Sequence, residues 1–454
     1  MHWWDGFLHL HCFSGSERYL WIMKLFSAIG LLLLPLIASA TTLRLEGDRA
    51  WLKAEGSSLP KVLQLFEQRG VEILIDPSLQ LNRVSGEWEN TKIERLIQQL
   101  AGSHSYLLEW RKVKSPLGDL YQVASIRIYA DGNLSAAQPL SKNGKVLDIV
   151  EGKNGIKYVR GEIMVGFSEG SNIDDLKALL KKLGGTVVEV IDPPGIYRIR
   201  LNEGMLVEEA MKIAKAHDGV KATEPNFAFP RVGNELVQVS GSGAGVNLHL
   251  QPGENAVAVF DSGLDLQYAE LPFIRGTYNA LSPDEAMSDS TGHGTLTAMI
   301  ASGAVTPLGV NATDSGVPVL AIRTFDKNGM TSSDTIMRAL EYAANSGVKI
   351  VNMSWGSEVD SAFMETAMSY AAQNGMVLYA SAGNEPTGKP IYPAGYDSVI
   401  AVGGLNADGS LWEQSNYGAF VKVFEPAKAT FNGQSYAGTS ISSPFAAFKA
   451  ALQP

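Results

Sequence analysis

Ala256-Val257-Ala258-Val259-Phe260-Asp261-Ser262-Gly263 is the stretch on which the fold turns. An unbroken apolar run leaves no polar face for water, so it predicts a strand buried on both sides, as in a parallel sheet covered by helices. The run ends in a carboxylate followed by Ser262 and Gly263, which let the chain turn while the acid points at a neighbour. Similar runs follow at Val317 to Phe325, Lys349 to Met353, Met376 to Ala380 and Val399 to Val402, with helical patterns between them at about Ser332 to Asn345 and Ala362 to Gln373. The predicted fold class is α/β, a mostly parallel sheet flanked by helices. Active sites in such sheets lie at the carboxyl ends of the strands, where Asp261 stands.

Two other segments complete a chemical pattern: Gly292-His293-Gly294-Thr295 and Gly438-Thr439-Ser440-Ile441-Ser442-Ser443-Pro444. Leu296, Met299 and Ile300 take up helical spacing after His293, which places its imidazole at a helix start. Ser440 opens the last helix, where the amide-rich end favours negative charge, with Pro444 expected in the first turn. Serine is a poor nucleophile near neutral pH and needs an imidazole to take its proton and a buried carboxylate to orient that imidazole. Each segment alone is commonly a turn or an element terminus; the weight lies in their conjunction and order.

In the order Asp, His, Ser, the segments resemble the subtilisin-like serine peptidases. The resemblance implies that Asp261 orients, His293 acts as general base and Ser440 attacks, its own amide donating to the oxyanion. It also implies that Asn384, closing Tyr379-Ala380-Ser381-Ala382-Gly383-Asn384, supplies the side-chain oxyanion donor. Ser354, Trp355 and Gly356 would line the substrate, with Ala380, Ser381, Ala382 and Gly383 as the opposite wall of the pocket. Ile391 stands where many relatives carry glycine at the pocket floor, which would make the pocket shallow. The pattern departs from the family at Thr297, usually a small aliphatic residue, at Met299, usually glycine, and at Ile441 and Ser442. Thr297 and Met299 are expected to pack behind the site. Peptide or protein substrates follow, held through main-chain hydrogen bonds.

Upstream, Gly161 to Phe167 reads as a strand, and Ile173, Leu176, Leu179, Leu180 and Leu183 form a helical stripe. Strands at Val187 to Val190 and Tyr197 to Leu201, a helix at Val207 to Ala216 and a segment ending in Glu224-Pro225-Asn226 complete a βαββαβ order. That order is ferredoxin-like. Its place before the peptidase resembles the prodomain of secreted subtilisins, assigned to 158–230, with a connector and processing site at 231–248 and the catalytic domain at 249–454. The prodomain would then inhibit the enzyme it precedes. Residues 41–131 read as a small α/β module, in which Leu59, Val62, Leu63 and Phe66 share a helix face and Ile93, Leu96, Ile97 and Leu100 another. The run from Leu59 through Ile75-Asp76-Pro77 to Leu100 resembles the short N-terminal domain of secretins and TonB-dependent receptors, which implies an envelope protein partner. Residues 132–157, rich in Gly and Asn, read as a linker.

Met23-Lys24, the apolar run Leu25 to Ile37 and Ala38-Ser39-Ala40 form a signal peptide at 23–40, so the chain is expected in the periplasm or outside the cell. The run falls short of the ~20 residues of a membrane span. Residues 1–22 read as an upstream segment before the true start, and they hold Cys12, the one cysteine. Without it the exported chain has no thiol chemistry and no disulfide. The chain has 454 residues, enough for several domains, and its net charge of -10 argues against nucleic acid as a partner. No cofactor is assignable; the family often carries structural calcium, but no carboxylate cluster here has the spacing of ligands. Two function classes follow: a serine endopeptidase made as an autoprocessed zymogen, and a catalytically silent envelope interaction protein that uses the peptidase fold as a scaffold.

Overall fold

A computed structural model describes residues 41–140, 146–231, 249–250, 254–283, 285–311 and 316–453. The stretch read as a signal peptide, the segment before it and nearly all of the stretch read as a connector lie outside the described residues. The catalytic sheet has seven strands, all parallel, in the order Ile274–Asn279, Val319–Arg323, Val257–Asp261, Ile350–Met353, Val377–Ser381, Val399–Leu405 and Val421–Pro426. Successive side chains leave opposite faces of a strand, and both faces here are buried. Val257 and Val259 pack with Leu296, Phe445 and Phe448 from the helices His293–Ala301 and Thr439–Ala451. Ala258 and Phe260 pack with Ile336, Leu340 and Met364 from Ser333–Asn345 and Ala362–Gln373 on the other side. The predicted buried strand thus lies centrally, and its carboxyl end carries Asp261.

The prodomain-like unit is a βαββαβ sheet in the order Thr186–Ile191, Ile196–Arg200, Lys157–Phe167, Val220–Pro230. One face carries its own helices Ile173–Leu183 and Val207–Lys215, with Ile163, Val165, Leu176 and Leu179 fully buried between them. The alternate residues Met164, Ile191 and Ile196 turn outward and join the catalytic core beside Phe363 and Met364. Two polar side chains on the exit strand seat the unit. Glu224 accepts from Ser361 Oγ at 2.7 Å and Ala362 N at 2.8 Å, and Asn226 accepts from Asp334 N at 3.3 Å. Both residues satisfy amides at helix N-termini that otherwise lack partners. Beneath them lies a buried charge network: Arg198 reaches Asp334 at 2.7 Å, Glu189 at 3.4 Å and Glu162 at 3.5 Å. Arg338 holds Asp334 and Glu189, and Arg200 holds Glu162.

Residues 41–140 form two sheets with the helices Leu59–Glu67 and Ile93–Ala101 between them. The module packs on the prodomain-like unit: Arg111 Nη2 donates to Val188 O at 3.1 Å, and Leu117 N donates to the Tyr197 hydroxyl at 3.3 Å. The segment read as a linker departs from that reading at two places. Gln138–Pro139 pairs with Leu74 and Ile75, and Ile149–Glu151 pairs with Lys157–Val159 around a turn at Gly152. Edge strands of two or three residues are held by main-chain bonds, so they leave no periodicity to read.

Candidate active site

The carboxyl end of Val257–Asp261 and the start of His293–Ala301 meet without intervening side chains. A methyl group on Gly294 would lie 2.7 Å from Gly263 N, and only glycine permits that approach. Gly292 caps the helix at φ 72°, a left-handed conformation that suits glycine. The result is a short, buried contact. His293 Nδ1 lies 2.8 Å and 2.9 Å from the two oxygens of Asp261, and the residues are 4% and 1% exposed. Burial alone would raise the Asp261 carboxyl, but the adjoining His293, the charge of Arg231 and the Ser262 amide hold it below the usual carboxylate range. The imidazole is thereby oriented through Nδ1. Its buried Nε2 has no hydrogen-bond partner among the described residues, so the structure pairs His293 with Asp261 but does not bring Nε2 into a hydrogen bond with Ser440 Oγ.

Ser440 is the second residue of Thr439–Ala451, on a helix packed against that of His293. Asn384 Oδ1 accepts from Thr439 N and Thr439 Oγ1, both at 2.9 Å, which leaves its amide nitrogen unspent by those bonds. A methyl on Gly438 would lie 3.0 Å from Ser440 Oγ and 3.3 Å from Asn384 Nδ2, so both atoms border one small space that glycine leaves open. Pro444 proves to be the sixth helical residue, a turn later than the sequence suggested. Proline has no N–H to give the carbonyl four residues earlier, that of Ser440. Ser354 Oγ donates to it instead at 3.2 Å, while itself accepting from Asn352 Nδ2 at 2.9 Å; Ser443 Oγ completes the chain to Asn352 Oδ1 at 2.7 Å. The Ser354 side chain therefore supports the Ser440 turn.

One supporting residue, Asp289, went unread in the sequence. Asp289 is 2% exposed and accepts from Gly292 N at 2.9 Å, Thr295 N at 2.8 Å, Thr295 Oγ1 at 2.7 Å and Ser262 Oγ at 2.8 Å. It ties the two glycine segments together. An aspartate just before a helix start is a capping signal that could have found it. Thr297, expected only to pack behind the site, touches the acid directly: its hydroxyl donates toward Gly294 O at 3.0 Å and Asp261 Oδ2 at 3.2 Å. Met299 packs in the core as expected.

Of the substrate-lining residues, Ser354 to Gly356 and Ala380 to Gly383 follow or end adjacent parallel strands, with Met353 opposite Ala380. Ile391 lies between them. Trp355 is buried against Phe325 and Phe229, with ring centroids 5.9 Å apart in both cases. Phe229 belongs to the prodomain exit strand, whose residues Ala228, Phe229 and Pro230 pair antiparallel with Ser332, Thr331 and Met330; Arg231 N extends the ladder to Gly329 O at 2.7 Å. The chain leading to the connector thus lies as an added strand on the catalytic domain. Among the described residues no group of three or more His, Cys, Asp or Glu could hold a metal ion, and no helix is long and apolar enough to cross a membrane.

Comparison with known proteins agrees with this geometry. A model of the Subtilase family matches residues 254–453, and a model of the fervidolysin N-terminal prodomain matches residues 144–226. The chain is 31% identical over 318 residues to the thermophilic serine proteinase of Bacillus sp. (strain AK1), spanning 65% of this chain and 78% of that protein. It is 30% identical to the minor extracellular protease Epr of Bacillus subtilis (strain 168), of which it spans 41%. The crystal structure of fervidolysin from Fervidobacterium pennivorans, a keratinolytic enzyme related to subtilisin, aligns with a TM-score of 0.52 at 22% identity. That likeness, one of fold, covers 66% of this chain and 55% of fervidolysin.

Proposed function

The chain belongs to the subtilase family as a serine endopeptidase preceded by its prodomain, and we propose that Asp261, His293 and Ser440 are the groups that do its chemistry. The observation that carries this reading is the buried Asp261 carboxylate bonded to His293 Nδ1. In the reaction, Ser440 Oγ attacks the substrate carbonyl carbon while His293 Nε2 takes its proton. The carbonyl electrons move onto oxygen, where Asn384 Nδ2 and the Ser440 amide donate. Collapse of the intermediate expels the amine, which takes the proton from His293, and leaves an acyl-Ser440 ester. Water, deprotonated by His293, then hydrolyses the ester and frees the serine. Asp261 stays ionised throughout and stabilises the imidazolium.

The added strand at Ala228–Pro230 supports a zymogen in which the prodomain occupies the edge along which substrate backbone would lie. We place self-cleavage in the connector beyond Arg231 and before residue 245, because the residues up to Arg231 are held in the ladder. The cut prodomain then remains as an inhibitor until it is degraded. Export through the signal at 23–40 fits this role. Residues 41–131 are proposed as an interaction module attached to the prodomain, the face from which an envelope partner would be met. The intact pairing of Asp261 with His293 favours the enzyme over the silent scaffold.

A fluorophosphonate probe tests the reading. Processed wild type should label at Ser440, and Ser440→Ala should neither label nor process, accumulating as the uncut chain. Failure of any processed form to label refutes the enzyme, and cutting of purified Ser440→Ala at the same bond refutes self-processing.

A further inference from the structure

The slot between the ends of two parallel strands should receive the substrate side chain that precedes the cleaved bond, and here it is already filled. A methyl on Gly356 would overlap Ile391 Cδ1 and lie 3.0 Å from Ile391 Cγ1; one on Gly383, in the opposite wall, would lie 2.9 Å from the same Cδ1. The two glycines face each other across a space that the isoleucine occupies from below. Resting on the peptidase reading above, we infer that Ile391 is a specificity-determining plug. It restricts cleavage to bonds that follow glycine, alanine or serine and excludes leucine, phenylalanine and tyrosine at that position.

A plug selects only if it cannot swing away, and three sets of bonds hold this one. Ser357 and Tyr392 exchange backbone bonds, Ser357 N to Tyr392 O at 2.8 Å and Tyr392 N to Ser357 O at 2.7 Å, which clamps Ile391 against Gly356. Gly395 N donates to Ile391 O at 2.6 Å. On the other wall, buried Asn416 donates from Nδ2 to Ala382 O at 3.0 Å and to Lys389 O at 2.8 Å, while its own N donates to Gly383 O at 2.9 Å. The segment that carries Ile391 is thus tied to both strands it separates. A branched side chain confined in this way has few rotamers to escape into, and close-packed surroundings do not yield to an incoming ring.

The experiment uses processed full chain and a series of peptide nitroanilides that differ only in the residue before the cleaved bond: Gly, Ala, Ser, Leu or Phe. Fluorophosphonate titration of each preparation counts the competent molecules, so rates are compared per labelled serine. Alanine should exceed phenylalanine in kcat/KM by about 100-fold or more, the discrimination that steric exclusion from a fixed pocket provides. The graded set Ile391→Val, Ile391→Ala and Ile391→Gly should raise the phenylalanine-to-alanine ratio stepwise, by about tenfold or more at glycine. The Val and Ala variants keep the test decisive if the glycine form does not fold. Titratable wild type that cuts after phenylalanine as fast as after alanine overturns the plug and leaves the peptidase reading intact, and so does a ratio that stays level across the set. A wild type that does not label refutes the underlying reading and the plug with it.

Discussion

Replacing Arg198 with methionine should loosen the prodomain from the protease it covers. Arg198 sits in the middle of the strand Ile196–Arg200 at 6% exposure and faces three carboxylates, of which Asp334 belongs to the catalytic domain and Glu162 and Glu189 to the prodomain. Breaking a buried ion pair by removing one partner costs about 3–5 kcal/mol, because the other charge is left uncompensated. Here Asp334 and Glu189 keep Arg338, and Glu162 keeps Arg200 and the Asn226 amide. The cost therefore falls at the low end, about 3 kcal/mol, which is about two decades in the dissociation constant of the cut complex. The assay is dilution of self-processed protein, with fluorophosphonate labelling of Ser440 reporting the fraction of uncovered sites. The half-labelling concentration should rise about 100-fold in Arg198→Met. A shift below threefold in correctly processed protein would refute the claim that this network holds the two domains together.

Acid should act on the fold of the prodomain. Although burial pushes the Glu162 carboxyl up, Arg198 and Arg200 hold it below its ordinary value, so its contribution is present above the ordinary glutamate pKa and is lost as pH falls through the depressed one. The melting temperature of the uncut Ser440→Ala chain should accordingly fall below about pH 4.5, and a flat profile down to pH 3 would count against the assignment. Asn384→Ala should lower kcat by about 10²–10³ with little change in KM, the range seen when subtilisin, a member of this family, loses its oxyanion amide. Stopped-rate kinetics on one peptide decide it. Thr297→Val removes a donor from Asp261 Oδ2 at nearly constant shape. The more basic carboxylate should stabilise the imidazolium and move the acid limb of kcat/KM up by about 0.5 pH unit. A purely structural role would change rate without moving that limb.

The chain by itself determined what local pattern and chemistry can carry. Continuous apolar runs such as Ala256 to Phe260 have one stable setting, a covered parallel sheet, and the acid, base and nucleophile types stood at strand ends and helix starts where polar groups converge. The helical stripes at Leu176, Leu179 and Leu183 likewise named their own buried face. The strands Ile274–Asn279 and Val421–Pro426 went unread because sheet edges are half exposed and mix polar with apolar residues. Tertiary structure decided whatever depends on groups far apart in sequence. Arg198 and Asp334, or Ser354 and the carbonyl that Pro444 leaves unpaired, are partners only after the sheet closes. The position of Ile391 between Gly356 and Gly383 has the same origin: three segments with no common periodicity occupy one volume, and only packing says which side chain fills it.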